Sequence, residues 1–264
     1  WQQKITAVVV GMPTEMRATN CLDGNAVIEF FIPFNEQELK YRYRHETAES
    51  SSSHSRIFHG KTTLPDGSTR AESAILKLAK YLSDLPETIA VLTLDGGSWH
   101  SHVAEQAYLE IDLGQSIQGG VGRRLLSLIN EIESVATDFL GHIDQGRSPA
   151  VNIGSVRTFE EGVQVMVGMT LVPNIPATIL QSWRSRIKHF CAKNDTRVRI
   201  REYRAPVQVP SNSLLYSFSK SHLVEGPAGP APSDNTSRAP SSIETNLGAF
   251  GNEAGIYYTN GFDT

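Results

Sequence analysis

His100 and His102 stand two residues apart, a spacing that would turn both imidazoles to one face of a strand. Joined by His54 and His59 they would make a metal cluster. Four histidines scattered over surface loops are the plainer expectation. Asp95, Glu105, Glu110 and Asp112 could supply a carboxylate pair, but nothing in the sequence fixes their separation, and solvated strand edges account for them. Gly119-Gly120-Val121-Gly122-Arg123-Arg124, at a helix start, could offer free N–H groups to an anion. The stretch lacks the lysine, the spacing and the preceding buried strand of a nucleotide-binding loop, so a helix N-cap turn is the expected reading. Arg184, Arg186, Arg197, Arg199, Arg201 and Arg204 form a basic surface. It could meet an acidic partner or a substrate carboxylate; a solvated outer face is the expectation. Cys21 and Cys191 are far apart and form no CxxC pair, which suits free buried thiols in a reducing compartment. Asn194-Asp195-Thr196 and Asn235-Thr236-Ser237 match the glycosylation sequon.

The elements that must position these groups are legible in part. The chain has 264 residues and a formal net charge of −4, enough for one large domain or two modest ones with a real core. The charge gives no reason to expect nucleic acid or an anionic membrane as partner. No apolar run approaches a membrane span and no signal peptide is visible, so a cytoplasmic location is expected. Trp1 is not a native translation start, which points to a piece of a longer chain.

Val151 to Arg204 spells strand, strand, helix, strand. Val151, Ile153 and Val156 open a short strand, and Gly162 to Val172 is a β-branched, apolar run. Pro176 then opens a helix with Ile179, Leu180, Trp183, Ile187, Phe190 and Cys191 at helical spacing. Thr196 to Arg204 closes the unit as a basic strand. Upstream, Ile5 to Val10 and Asn25 to Phe34 read as strands. Leu39 to Thr47 alternates aromatic and basic residues and should be half exposed. Glu49 to Ser55 is a polar loop, and Phe58 to Gly67 has turn chemistry. Helices are predicted over about Thr69 to Ser83, with Thr69 and Glu72 spaced as a capping box, and over Gly122 to Gly141. Ile89 to Leu94 and Tyr108 to Leu113 are short strands, the latter a candidate sheet edge. Ser213 to Leu223 could be a helix, and Glu253 to Tyr258 resumes an apolar pattern after a Pro/Ser/Gly-rich stretch.

In this order the pieces resemble the M20 family of zinc amidohydrolases and peptidases. Val8-Val9-Val10-Gly11-Met12-Pro13-Thr14 looks like that family's strand ending in G-E-P-T. Gly60-Lys61-Thr62-Thr63-Leu64-Pro65, with Ala74-Ile75 on a helix, is similar to its G-H-S-S-x-P…N-A-I segment. Val151-Asn152-Ile153-Gly154 is similar to its N-I-G strand, Met169 to Pro173 to its I-R-L-L-P, and Asn252-Glu253-Ala254-Gly255 to its T-E-A-G turn. The departures bear on chemistry. Ile5 to Val10 has no carboxylate where a metal ligand would stand, and Met12 replaces a glutamate. Lys61 falls where the family's lid histidine helps hold an oxyanion, and Thr170 where its lid arginine grips a substrate carboxylate.

The resemblance implies an α/β fold of the α+β kind: an antiparallel-sheet lid or dimerisation domain with helices on one face, plus partial α/β catalytic-domain segments. The lid would span residues 16–205, between a catalytic-type remnant at 1–15 and a return at 206–264 that holds a Pro/Ser/Gly loop at 226–242. Lys61 takes the catalytic position, while Thr170, Asn152 and Glu253 take the substrate-binding positions. No metal ligand set is expected on this chain, zinc entering only with a catalytic half supplied elsewhere. The expected partners are a second copy or a catalytic half, with an acidic small molecule as a further candidate. Function is then either association, as a non-catalytic lid or dimerisation subunit, or a piece of an active zinc hydrolase cleaving an N-acyl-amino-acid or peptide amide bond.

Overall fold

The computed structural model describes residues 21–47, 53–61, 71–139, 142, 149–208 and 212–213. Predicted elements at Ile5–Val10, Ser213–Leu223 and Glu253–Tyr258, the loop at 226–242 and the motif around Met12 lie outside these residues, Ser213 excepted.

The chain runs β1 (Cys21–Leu22), β2 (Gly24–Pro33), α1 (Glu36–Thr47), β3 (Ser53–His59), α2 (Ala74–Ser83), β4 (Ile89–Gly96), β5 (Gln106–Ser116), α3 (Val121–Phe139), β6 (Ala150–Phe159), β7 (Gly162–Leu171), α4 (Ala177–Lys193), β8 (Arg197–Arg204) and β9 (Val207–Gln208). The fold is α+β. Seven strands form one antiparallel sheet in the order β3-β5-β4-β6-β7-β2-β8. Strand alternation explains why it has one dry face. Val163, Val165, Val167, Met169 and Leu171 of β7 and Ala26, Ile28, Phe30 and Ile32 of β2 are buried beneath the helices. Glu29, Phe31, Gln164 and Thr170 take the opposite face. The helices α2, α3 and α4 bury their apolar stripes, led by Ile75, Leu78, Leu125, Leu128, Ile129 and Ile187, in that same core.

Two split β-α-β units account for the strand order. β5 inserts between β3 and β4, which α2 connects; β2 inserts between β7 and β8, which α4 connects. The units meet at β4 and β6 through one ladder position, Gly96 against Val156. Side chains carry the rest of this seam. The Thr158 hydroxyl accepts the Leu94 N–H at 2.7 Å and donates to the Leu94 carbonyl at 2.8 Å. Asp95 Oδ1 accepts the Thr158 N–H at 3.1 Å, and Arg157 donates to the Gly97 carbonyl at 2.7 Å. β1 and β9 pair separately, Cys21 with Gln208 and Leu22 with Val207, so the chain enters and leaves this unit side by side.

Several expectations are corrected. Leu39–Arg44 is half exposed, as expected, and the stretch to Thr47 belongs to a helix, because Asn35 and Glu38 cap a helix start just before it. Ser53–Ser55 is strand rather than loop, paired with Glu110–Asp112. Helix α2 begins at Ala74, with Ser73 as its N-cap, because Glu72 is taken into a bridge with Lys61. Tyr108–Leu113 is not an edge: β5 has β3 on one side and β4 on the other. Among the described residues the edges of the sheet are β3 and β8.

The seam makes a sharp prediction. Thr158→Val keeps shape and strand propensity but leaves both polar groups of Leu94 without partners. An uncompensated loss of this kind costs about 1–3 kcal/mol. Chemical denaturation should show a drop in that range, and an unchanged midpoint would refute the assignment.

Candidate functional site

The positions singled out in the sequence gather at one end of the sheet, where β3, β4 and β7 finish and β5 and β6 begin. Residues 97–105 organise that end. Gly97, at φ 64°, turns the chain out of β4. The backbone of Trp99 and His100 then presses against Gly154 of β6, and that of His100 against Gly168 of β7, so closely that a Cβ on either glycine would collide with it. Asn152 holds the segment there: its Nδ2 donates to the carbonyls of His100 at 2.9 Å and His102 at 2.8 Å. The chain returns to β3, where the Ala104 carbonyl accepts the Ala74 N–H at 2.8 Å and the Glu105 carbonyl accepts the Gly60 N–H at 2.7 Å.

Lys61 follows directly. It exchanges two backbone hydrogen bonds of 2.8 Å with Glu72, and its side chain is exposed. Lys77, bonded to Glu72 at 2.7 Å, and then the charge of Lys61 hold the Glu72 carboxyl below the usual carboxylate range. Thr170 lies opposite Asn25 and Ala150. Because Asn152 lies opposite Gly168, Asn152 and Thr170 share one sheet face. Lys61 and Thr170 are not brought together: four strand spacings separate β3 from β7, about 19 Å at ~4.8 Å each. Glu253 lies outside the described residues. Between the segment and β3 opens a cleft of about 520 Å³, lined among others by Ile57, Asp95, His102, Glu105, Tyr108 and Arg157.

The remaining candidates have structural duties. His100 and His102 sit in a turn, not on a strand, and His54 and His59 lie on β3. Among the described residues no three His, Cys, Asp or Glu side chains gather as a metal site, so these residues do not fit a zinc centre. Asp112 is buried and accepts hydrogen bonds from the Tyr41 hydroxyl and the Gly114 N–H. Glu110 lies against Thr93 and Tyr108. The anion at the start of α3 is the protein's own: Glu38 accepts the Val121 N–H at 2.5 Å and an Arg124 N–H at 2.8 Å. Much of the basic surface is paired, Arg186 with Glu131 and Asp138, Arg201 with Glu29 and Arg204 with Glu202. Asn194 spends its side-chain amide on the Phe190 carbonyl, 2.9 Å away at the end of α4. Cys21 and Cys191 are buried and are not joined in a disulfide, and burial pushes Cys191 up to about 11.

Sequence reading missed the clamp of Asn152 on the turn and the two glycines beneath it. The signal was the pair Gly154 and Gly168 inside otherwise β-branched strands, the mark of a close backbone approach. It missed Glu38 as well, although Asn35 and Glu38 stand at capping-box spacing.

No protein-family model and no curated protein matches the chain. Among solved structures it is similar to the aminoacylhistidine dipeptidase of Vibrio alginolyticus, at 9% identity and a TM-score of 0.48, over 76% of this chain and 48% of that one. It is also similar to an amidase of the hydantoinase/carbamoylase family from Burkholderia multivorans, at 9% identity and a TM-score of 0.27, over 72% of this chain and 30% of that one. The chain spans less than half the length of either. No helix among the described residues is long and apolar enough to cross a membrane.

Two predictions follow from this geometry. Asn152→Asp replaces two donated hydrogen bonds with a carboxylate facing two carbonyls. Limited proteolysis at residues 99–102 should accelerate at least tenfold while the sheet stays folded; an unchanged rate would show that the turn does not depend on Asn152. Burial first, and then the bond to Asp112, raise the Tyr41 hydroxyl above its ordinary range. A raised folded value stabilises the neutral form, so its contribution is complete below about pH 10 and fades as pH rises further. Tyr41→Phe should flatten the alkaline arm of a stability–pH profile.

Proposed function

We propose that this chain supplies the lid, or dimerisation, unit of an M20-like protein and works by association rather than through a zinc centre of its own. Lys61, Asn152 and Thr170, at family-equivalent positions, come to one end of a helix-backed antiparallel sheet, which supports the reading. The observation that carries it is the outer edge of β3, which has no partner strand among the described residues. Six of its seven residues, all but Phe58, are exposed, and Ile57 is 59% exposed. Such an edge is a template for a second strand. The opposite edge, β8, carries four arginines in eight residues, which discourage pairing there. Across a two-fold axis β3 would meet its own copy and join two sheets into one.

The side-by-side pairing of β1 and β9 favours a second reading, in which the unit is inserted in an active zinc-dependent hydrolase acting on an N-acyl-amino-acid or peptide amide bond. There Lys61, a cation with three donors, would face the developing oxyanion. The readings share the lid and differ in where the zinc ligands stand. Native mass spectrometry of the protein from its source, with metal analysis, separates them. A companion polypeptide or longer parent chain carrying zinc supports the second reading; a metal-free homodimer supports the first.

The edge itself is tested by one substitution. The Gly60 N–H points to β5, and hydrogen-bonding direction alternates along an antiparallel ladder, so the N–H groups of Ser55 and Ile57 point outward. Ser55→Pro removes an outward donor and leaves the β3–β5 ladder intact. Sedimentation velocity should show self-association weakened at least tenfold, with an unchanged circular dichroism spectrum. A monomeric parent chain, or a proline variant that associates equally well, would sink the proposal.

A further inference from the structure

The helix α4 is buried unevenly along its length. Ile187 and Cys191, in its second half, are its buried residues. Leu180 and Trp183, nearer its start, pack only partly buried against the core, and a gap of about 190 Å³ lies between them and Ala26, Ile28 and Leu171 on the sheet. The gap exists because its walls include Ala26 and Ala177, where larger side chains would fill it. Its floor is dry: Ile28 and Leu171 are 1% exposed. On its β8 side it is lined by Arg184 and by the exposed Ile200 and Tyr203. Arg184 stands over the Tyr203 ring, 5.8 Å from its centre, and among the described residues has no carboxylate partner. Its neighbours Arg186, Arg201 and Arg204 all have one.

We propose that this gap is a binding site for a small apolar monocarboxylate, its hydrocarbon end on the floor and its carboxylate on Arg184. A cavity of about 150 Å³ lined by aliphatic and aromatic side chains takes up benzene, so the volume suits one ring or a short alkyl chain. An apolar floor rejects sugars and dicarboxylates, which would leave polar groups unpaired there. An unpaired guanidinium at the rim selects a carboxylate over an amine or a neutral amide, through charge-assisted hydrogen bonds. The other arginines of β8 add to the positive field on that side. This site does not depend on the lid reading: it lies at the edge of the sheet opposite β3.

The test uses the full 264-residue chain and two probes of nearly equal shape, phenylacetate and phenylacetamide, titrated by calorimetry. Phenylacetate should bind with a Kd on the order of 1 mM, as its size allows, and at least tenfold more tightly than the amide. Arg184→Gln should bring the two probes to the same affinity. Ala177→Leu, which narrows the gap from the exposed side of the helix, should abolish binding of both and leave the melting temperature unchanged or higher. Equal binding of acid and amide to the parent chain, no saturation by phenylacetate at about 10 mM, or full binding by Ala177→Leu would each overturn the proposal.

Discussion

The carboxylate of Glu38 ties together parts of the chain that sequence leaves far apart. Its Oε2 accepts the Asn35 N–H at 2.8 Å, while Asn35 Oδ1 accepts the Glu38 N–H at 2.9 Å, closing a capping box on α1. The same side chain takes the first N–H of α3 and the guanidinium of Arg124. One buried group therefore serves two helix starts, each carrying the positive end of its dipole. The ion pair is well shielded, with side-chain exposures of 14% for Arg124 and 3% for Glu38. Removing one partner of such a pair costs about 3–5 kcal/mol, because the other is left buried and uncompensated. Everything that α3 covers, from β2 to β4 and β6, depends on where that helix begins.

From that fixed point the rest follows as a problem of joining two half-sheets. β4 and β6 share too little ladder to hold by backbone alone, so Thr158, Asp95 and Arg157 supply the missing bonds. β4 cannot continue along β6, because Gly97 turns it out at a positive φ and the chain crosses the sheet face instead. That crossing needs two glycines beneath it and an amide to hold it, which Gly154, Gly168 and Asn152 provide. The cleft beside β3 is a by-product of this detour. Its polar lining, Asp95 and Arg157, comes from the same side chains that hold the seam.

How much of this the sequence disclosed depended on the range of the interaction. The helix and strands of Val151–Arg204 were legible because their periods are long and uninterrupted and their boundary signals, Pro173 and Pro176, are local. The strand at Asn25–Phe34 was legible for the same reason. Leu39–Thr47 was not, since its mean hydropathy is low and the determinant of its helicity, the cap at Asn35 and Glu38, sits just before it. Strand order was illegible too. Tyr108–Leu113 has the composition of an edge, with Glu110 and Asp112 turned from the core, yet it is interior because those carboxylates are satisfied by Thr93, Tyr108 and Tyr41. In the candidate site, Asn152 was named for its resemblance to a family position, and the structure gives it a different, physical duty toward His100 and His102. Lys61 and Thr170 share an end of the sheet but not a site, a fact that only strand order decides.

The two edges of the sheet are built for different work. β3 carries a single arginine, Arg56, and the outward N–H donors of Ser55 and Ile57 are ones an added strand can use. β8 presents Arg197, Arg199, Arg201 and Arg204, and a neighbouring copy would have to bury like charges to pair there. Alongside β8, α4 is fully buried only at Ile187 and Cys191, and Arg186 ties it laterally to Glu131 and Asp138 of α3. A strand added at β3 lies far from the gap beneath Leu180 and Trp183, since five strands intervene between the two edges.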